Sequence, residues 1–193
     1  MLLLVAGVVL FFAPHSVPIV APYWRERMLL YAGEARWKSL YFLLSATGLA
    51  LMVLGFSAAQ TTPVIVYVPA AWLRYATFVL MLPVFPLLLA TYLPGRILAT
   101  IKHPMLTAVQ LWAAAHLASG GTLPQVVLFS AFLLWALIDR LSLQRREASA
   151  IRRAPPTRYN DVLAVACGLA LYVLFLWRLH AWIFGVPLLS GVQ

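Results

Sequence analysis

Four histidines are the residues of this chain best suited to chemistry: His15, His103, His116 and His180. All four fall inside, or at the ends of, long apolar runs. An imidazole in hydrocarbon needs a hydrogen-bond partner or a ligand, because its nitrogens have lost water. Neutral imidazole is also the commonest axial ligand of haem iron. A haem has an apolar rim that a helical bundle can enclose, and two propionates that Arg or Lys at a membrane surface can pair. Other chemistries lack their residues. The sequence has no Gly-rich phosphate loop, no His-Glu-x-x-His helix and no Cys-x-x-Cys pair, and its one cysteine, Cys167, reads as a small buried filler. The acids Glu26, Glu34, Asp139, Glu147 and Asp161 are all expected at or beyond a cytoplasmic boundary. That leaves a Ser–His–acid site unsupported, and it weighs against a proton-driven carrier, which needs an acid in mid-membrane.

The elements that must position these rings follow from composition. The chain has 193 residues, of which 64% are hydrophobic types and 10% charged, with mean hydropathy +0.92. A soluble domain carries about 25% charged residues. Lipid is therefore the expected solvent for most of the chain, and a soluble globular domain, a disordered tail and a disulfide scaffold are excluded. The formal net charge is +9. No nucleic-acid partner is expected from it, because the cations gather in loops between apolar runs and so point to membrane lipid. The length suits a single integral membrane domain, 1–193.

The uncharged runs are 39–73, 75–95, 104–138 and 162–177. A span needs roughly 17–25 apolar residues. The run 104–138 is too long for one, and Ser119-Gly120-Gly121-Thr122-Leu123-Pro124 breaks it as a tight helical hairpin. Val64 to Pro69 reads as an extended piece. The expected fold is all-α, a polytopic bundle of about six transmembrane helices at 1–22, 39–58, 72–94, 103–118, 123–141 and 161–184. The first is expected to be a retained span, loosened in its second half by Pro14, Pro18 and Pro22. Loop one holds Arg25, Arg27, Arg36 and Lys38. Loop three holds Arg96 and Lys102, and the basic loop 142–160, with Arg140 just before it, holds the largest group of cations. Loops two and four carry no charge. The positive-inside bias places these basic loops in the cytoplasm and both termini outside, in a multi-pass membrane protein. The loop 142–160 reads as a solvated connection touching anionic headgroups. Asp139-Arg140 reads as a boundary ion pair or a hydrogen-bonded helix end. Trp24, Trp37, Trp72, Tyr92 and Trp182 mark the interfaces.

Depth along straight helices, at ~1.5 Å per residue, puts His15 nearer His103 and His116 level with His180. Arg74 and Arg178 fall at the outer level and suit outward-facing propionates. Trp112-Ala113-Ala114-Ala115 precedes His116, and those alanines let a flat ligand or a neighbouring helix approach closely.

Several strings then carry a resemblance. They are Phe12-Ala13-Pro14-His15-Ser16, Gly33-Glu34-Ala35-Arg36-Trp37-Lys38, Leu93-Pro94-Gly95-Arg96, Lys102-His103-Pro104-Met105, Trp112 through Ala115-His116-Leu117, Leu134-Trp135 to Asp139-Arg140, and Leu179-His180-Ala181-Trp182. Together the sequence resembles the NnrU family of bacterial membrane proteins, over essentially its whole length. The resemblance implies a link to denitrification, that is, to nitrite and nitric oxide reduction. It also implies kinship with the NnrU-like domain of zeta-carotene isomerase, a membrane enzyme with b-type haem on axial histidines. Its ligand strings, His-Ser and Trp-x-x-Ala-His, match His15-Ser16 and Trp112 to His116. The resemblance therefore nominates His15 and His116, with Trp112 beside them and His103 and His180 as secondary sites. Its alternative cysteine ligand corresponds to Ala113, so a ligand switch of that kind is absent here.

Lys102-His103-Pro104-Met105 is also similar to the Arg-His-Pro motif of membrane isoprenylcysteine methyltransferases. The acidic and aromatic S-adenosylmethionine segment of those enzymes is not matched. The leading expectation is a haem b protein of the membrane. Its role would be redox, sensing or haem-dependent chemistry on a small apolar substrate. The alternatives are a cofactor-free accessory or transport protein for reductase maturation, and a methyltransferase. Small-residue faces such as Ala114/Ala118 allow a homo-oligomer.

Overall fold

The computed structural model describes residues 1–146 and 151–188. Part of the basic loop and Glu147 lie outside the described residues. The fold is all-α as expected, with no strand among the described residues and one isolated bridge, Ile65 to Thr122. The helices are α1 (Leu2–Val20), α2 (Pro22–Ala32), α3 (Glu34–Ala59), α4 (Leu73–Met81), α5 (Val84–Ala90), α6 (Arg96–Ile101), α7 (Pro104–Ser119), α8 (Leu123–Ser142), α9 (Asn160–Leu174) and α10 (His180–Phe184). A π-helical segment, Phe175–Leu179, joins α9 to α10.

Five helical stretches are long and apolar enough to cross a membrane: Leu2–Val20, Glu34–Ala59, Leu73–Ala90, Leu123–Ser142 and Asn160–Phe184. The remaining expected span, α7, has 16 residues. At 1.5 Å per residue it reaches about 24 Å, short of a ~30 Å hydrocarbon core. Large apolar side chains such as Leu43, Val79, Val162 and Trp177 are exposed on the protein's outer faces, as lipid-facing surface requires. The chain is a membrane-type protein.

Three local features depart from the sequence reading. Loop one is mostly helical: α2 starts with Pro22 at its first turn and ends at Gly33, whose φ of 83° opens the turn into α3. α1 stays helical through Pro14 and Pro18 and breaks only at Ala21. The expected span at 72–94 is interrupted at Pro83, whose missing N–H cannot continue the ladder.

Contacts divide the chain into two compact units, Met1–Val68 with Gly120–Ser142, and Pro69–Ser119 with Leu143–Gln193. In the first, α1 lies along α3 with backbones in contact. A Cβ at Gly7 would sit 2.5 Å from the Met52 amide nitrogen, and one at Gly48 would sit 2.5 Å from that of Phe11. Gly55 meets Leu4 in the same way. Only glycine permits such a crossing. α8 packs on this pair. The extended piece 64–68 is held at the turn before α8, where Gly121 O accepts from the Val66 N–H at 2.8 Å and Leu123 N–H donates to Val64 O at 2.8 Å.

In the second unit, α5 packs on α9 and α7, and α7 also on α4. Val84, Leu87 and Ala108 form its core, flanked by Met81, Leu88, Ile97, Ile101, Leu111 and Trp112. The Pro83 break shortens the local hydrogen bond to Leu82 N–H onto Val79 O. The Phe78 carbonyl accepts instead from the Tyr172 hydroxyl of α9, at 2.8 Å. Asp161 caps α6, accepting from the Arg96 and Ile97 N–H groups at 2.8 and 3.1 Å. A side chain at Gly95 would collide with that carboxylate. The end of the basic loop is stapled here too: Arg153 Nε donates to Thr91 O at 3.2 Å, Ala154 N–H to Tyr92 O at 2.9 Å, and Asn160 Nδ2 to Pro94 O at 2.9 Å. This stretch is anchored to the protein, where the sequence suggested a solvated connection touching anionic headgroups.

Candidate functional site

Three of the four histidines share one local device. His15 Nδ1–H donates to Phe11 O at 2.7 Å, and His116 Nδ1–H to Trp112 O at 2.8 Å, each to the carbonyl four residues earlier. His180 Nδ1–H donates to Val186 O at 2.8 Å. A carbonyl only accepts, so Nδ1 carries the proton and Nε2 carries the lone pair. This is how metal-binding imidazoles are commonly oriented. The His15 bond does not use a carbonyl freed by proline. Pro14 and Pro18 free those of Leu10 and Pro14 by the i−4 rule, and the ring goes to Phe11 O.

In the first unit, His15 sits among aromatic rings. Phe11 stacks on it with centroids 4.3 Å apart, Tyr41 lies at 4.9 Å, and Trp135 stands edge-on at 5.8 Å and 89°. Phe12 extends the group by stacking on Trp135 at 5.4 Å, and Phe132 meets Phe12 at 4.9 Å. The local register explains the gathering. Phe11 and His15 are four apart on α1, Phe132 and Trp135 three apart on α8, and such pairs share a helix face. The Gly48 contact with Phe11 fixes the depth at which this face meets α3. Two buried donors in this unit, Trp135 Nε1–H and the Ser45 hydroxyl, have no hydrogen-bond partner among the described residues. A buried unpaired donor costs about 1–3 kcal/mol, so a ligand atom that accepts from Trp135 would remove a standing penalty. Asp139, one turn beyond Trp135, is buried, and within electrostatic reach of His15 and Tyr41. The sequence had placed it at a boundary.

In the second unit, His116 neighbours the Trp112 ring, with centroids 5.4 Å apart, and His180 is within its electrostatic reach. Ala113 and Ala115 are fully buried. Thr77 of α4 donates to Ala115 O at 3.0 Å, so beside Ala115 a neighbouring helix makes the close approach. His180 opens α10, against the Phe184 ring at 5.1 Å. His103 precedes Pro104 at the start of α7, as the sequence indicated, and Lys102 before it takes φ 62°. Arg74 is engaged by the Leu188 carbonyl and lies 6.0 Å from the Phe78 ring. Arg178 lies 5.9 Å from the Trp177 ring and lines a shallow recess with Leu179, Ala181 and Trp182. Cys167, expected as buried filler, is exposed.

The structure thus joins His15 to Tyr41, Trp135 and Asp139, none of which the sequence reading had assigned to the site. It joins His116 to Trp112 and His180. Among the described residues no three His, Cys, Asp or Glu side chains converge as a metal-ion cage. That is a different arrangement from the one or two imidazoles that a haem iron takes. A family model described as NnrU protein matches residues 3–188. No curated protein and no solved structure matches the chain.

Proposed function

The chain belongs to the NnrU family, and from that premise we propose that it is a b-type haem protein of the bacterial cytoplasmic membrane in which His15 and His116 are the residues that would bind haem. The observation that carries this reading is that each of these two imidazoles, inside an apolar helix, donates Nδ1–H to its own i−4 carbonyl, a bond that a purely structural histidine also makes but that puts the proton on the nitrogen a metal ligand leaves unused. The chain's residues fit a macrocycle in a second way. His15 is ringed by Phe11, Tyr41 and Trp135, and Trp135 holds an unsatisfied buried donor.

When bound, haem would supply one-electron transfer. The chain's own residues would do the rest. Phe11 O and Trp112 O hold the rings against rotation. The aromatic group around His15 excludes water, and Trp135 Nε1–H is available to an acceptor. Arg178 is a cation for a propionate, whereas Arg74 would first have to leave the Leu188 carbonyl. The family name points to a setting in nitrite and nitric oxide reduction, with redox, sensing or haem-dependent chemistry on a small apolar molecule.

The test is a reduced-minus-oxidised spectrum of protein purified in mild detergent from haem-replete cells. Split low-spin bands, lost or converted to a high-spin form in His15→Ala and in His116→Ala, support the reading. Colourless wild-type protein defeats it and leaves the cofactor-free accessory role. Bands unchanged in His15→Ala but lost in His180→Ala reassign the ligands.

A further inference from the structure

The turn from α2 into α3 shapes an open pocket of about 280 Å³ lined by Arg25, Leu29, Glu34, Trp37, Lys38 and Tyr41. It lies where two apolar spans end, since α1 closes at Val20 and the uncharged part of α3 begins after Lys38. That is the level of the lipid headgroups. From this pocket we infer a binding site for the phosphodiester of a membrane glycerophospholipid, which shares the Tyr41 ring with the His15 group but uses no imidazole and no haem.

The lining has the parts such a ligand needs. Lys38 Nζ pairs with Glu34 at 2.6 Å, an exposed pair that offsets the carboxylate beside the pocket. The Arg25 side chain has no ion pair or hydrogen bond among the described residues, its backbone N–H being spent on Ala21 O. Its guanidinium, half-buried and unspent, presents a planar fork that matches a phosphate edge. Trp37 and Tyr41 are half-buried beside it, and Trp24 meets the Trp37 ring at 5.8 Å. Amphipathic rings of this kind favour the glycerol and first acyl carbons over bulk water or deep hydrocarbon. Size decides which portion of a lipid enters. The volume falls below the roughly 300–1,000 Å³ of drug-sized sites, enough for a headgroup with its chains left in the bilayer. α2 exposes Tyr23, Leu30 and Tyr31 at 81%, 89% and 89%, a surface that a bilayer would cover. Gly33, with φ 83°, lets α3 turn back beside α2 and so forms the pocket.

The full chain, delipidated in detergent, would be titrated with phosphatidylglycerol and followed by native mass spectrometry. One lipid is expected to survive activation that strips the others. Arg25→Gln with Lys38→Gln is expected to weaken that lipid at least tenfold at unchanged helix content, and Arg25→Lys only a few-fold. Arg152→Gln with Arg158→Gln, on the other basic segment, is expected to leave it in place. Undiminished retention by the first double variant overturns the site. So does an equal loss in the second, which would mean diffuse charge attraction. Displacement by millimolar inorganic phosphate as readily as by lipid would mean a plain anion site and also overturns it. Should the first double variant not fold, Arg25→Lys, which keeps the charge, decides: retention equal to wild type overturns the site. Haem spectra play no part in these outcomes.

Discussion

The two compact units solve the same problem with different means. In the first, α1 and α3 touch backbone to backbone at Gly7, Gly48 and Gly55. Lipid offers no hydrophobic drive between helices, so close packing has to hold them together. In the second, one glycine crossing, Gly168 against Pro86, is joined by polar staples: Asp161 on α6, Tyr172 on Phe78 O, Thr77 on Ala115 O and Arg153 on Thr91 O. Three of these staples meet a backbone group left over by a proline or a helix end, and Thr77 adds a bond to a carbonyl inside α7. The first unit keeps unbroken spans and needs smooth contact faces. The second contains a broken span and must satisfy what the break exposes. The histidines inherit this difference. His15 lies in an aromatic group set by a rigid glycine crossing, and His116 on a short helix tied to α4 by Thr77.

That contrast can be broken most sharply at Gly48. Gly48→Leu drives side-chain atoms into the Phe11 backbone and should cost about 3 kcal/mol or more, at the upper end of overpacking effects. Thermal unfolding in detergent would show it, and an unchanged midpoint would mean that the α1–α3 contact is not that close. The corresponding probe of the second unit is Asp161→Ala. Losing a carboxylate that accepts from two N–H groups at a helix start should cost about 1–2 kcal/mol. It should also speed amide exchange at Arg96 and Ile97 while leaving α1 and α3 untouched; equal acceleration in both units would remove the distinction. The smallest effect is expected at Trp135→Phe. The ring packing is largely kept and an unpaired buried donor is removed, so stability of the haem-free protein should change by less than about 1 kcal/mol or rise. A loss of several kcal/mol there would show that the indole N–H is already paired.

Much of this was legible in the sequence. The uncharged runs and the Ser119–Pro124 turn located the spans, because hydrocarbon tolerates little charge and no unpaired backbone. His103-Pro104 marked the start of α7. Helix α2 was not legible, since eleven residues with charges among them give no span signal. The Pro83 break was passed over because hydropathy averages across it. Asp139 looked like a boundary charge, and its burial depends on α1 and α3, roughly a hundred residues earlier in the chain. Trp135 stood in plain view within a familiar string, yet its place beside His15 needed the α1–α8 packing.

The sequence by itself determined the solvent, the number of apolar passages to within one, and the identity of the imidazoles. Those depend on side-chain chemistry and chain length, which are local. Tertiary structure alone decided which rings and carboxylates surround each imidazole, and that the Arg25–Tyr41 turn shapes an open pocket. Such outcomes depend on contacts between helices, and a short glycine approach or a positive φ shifts them without altering hydropathy.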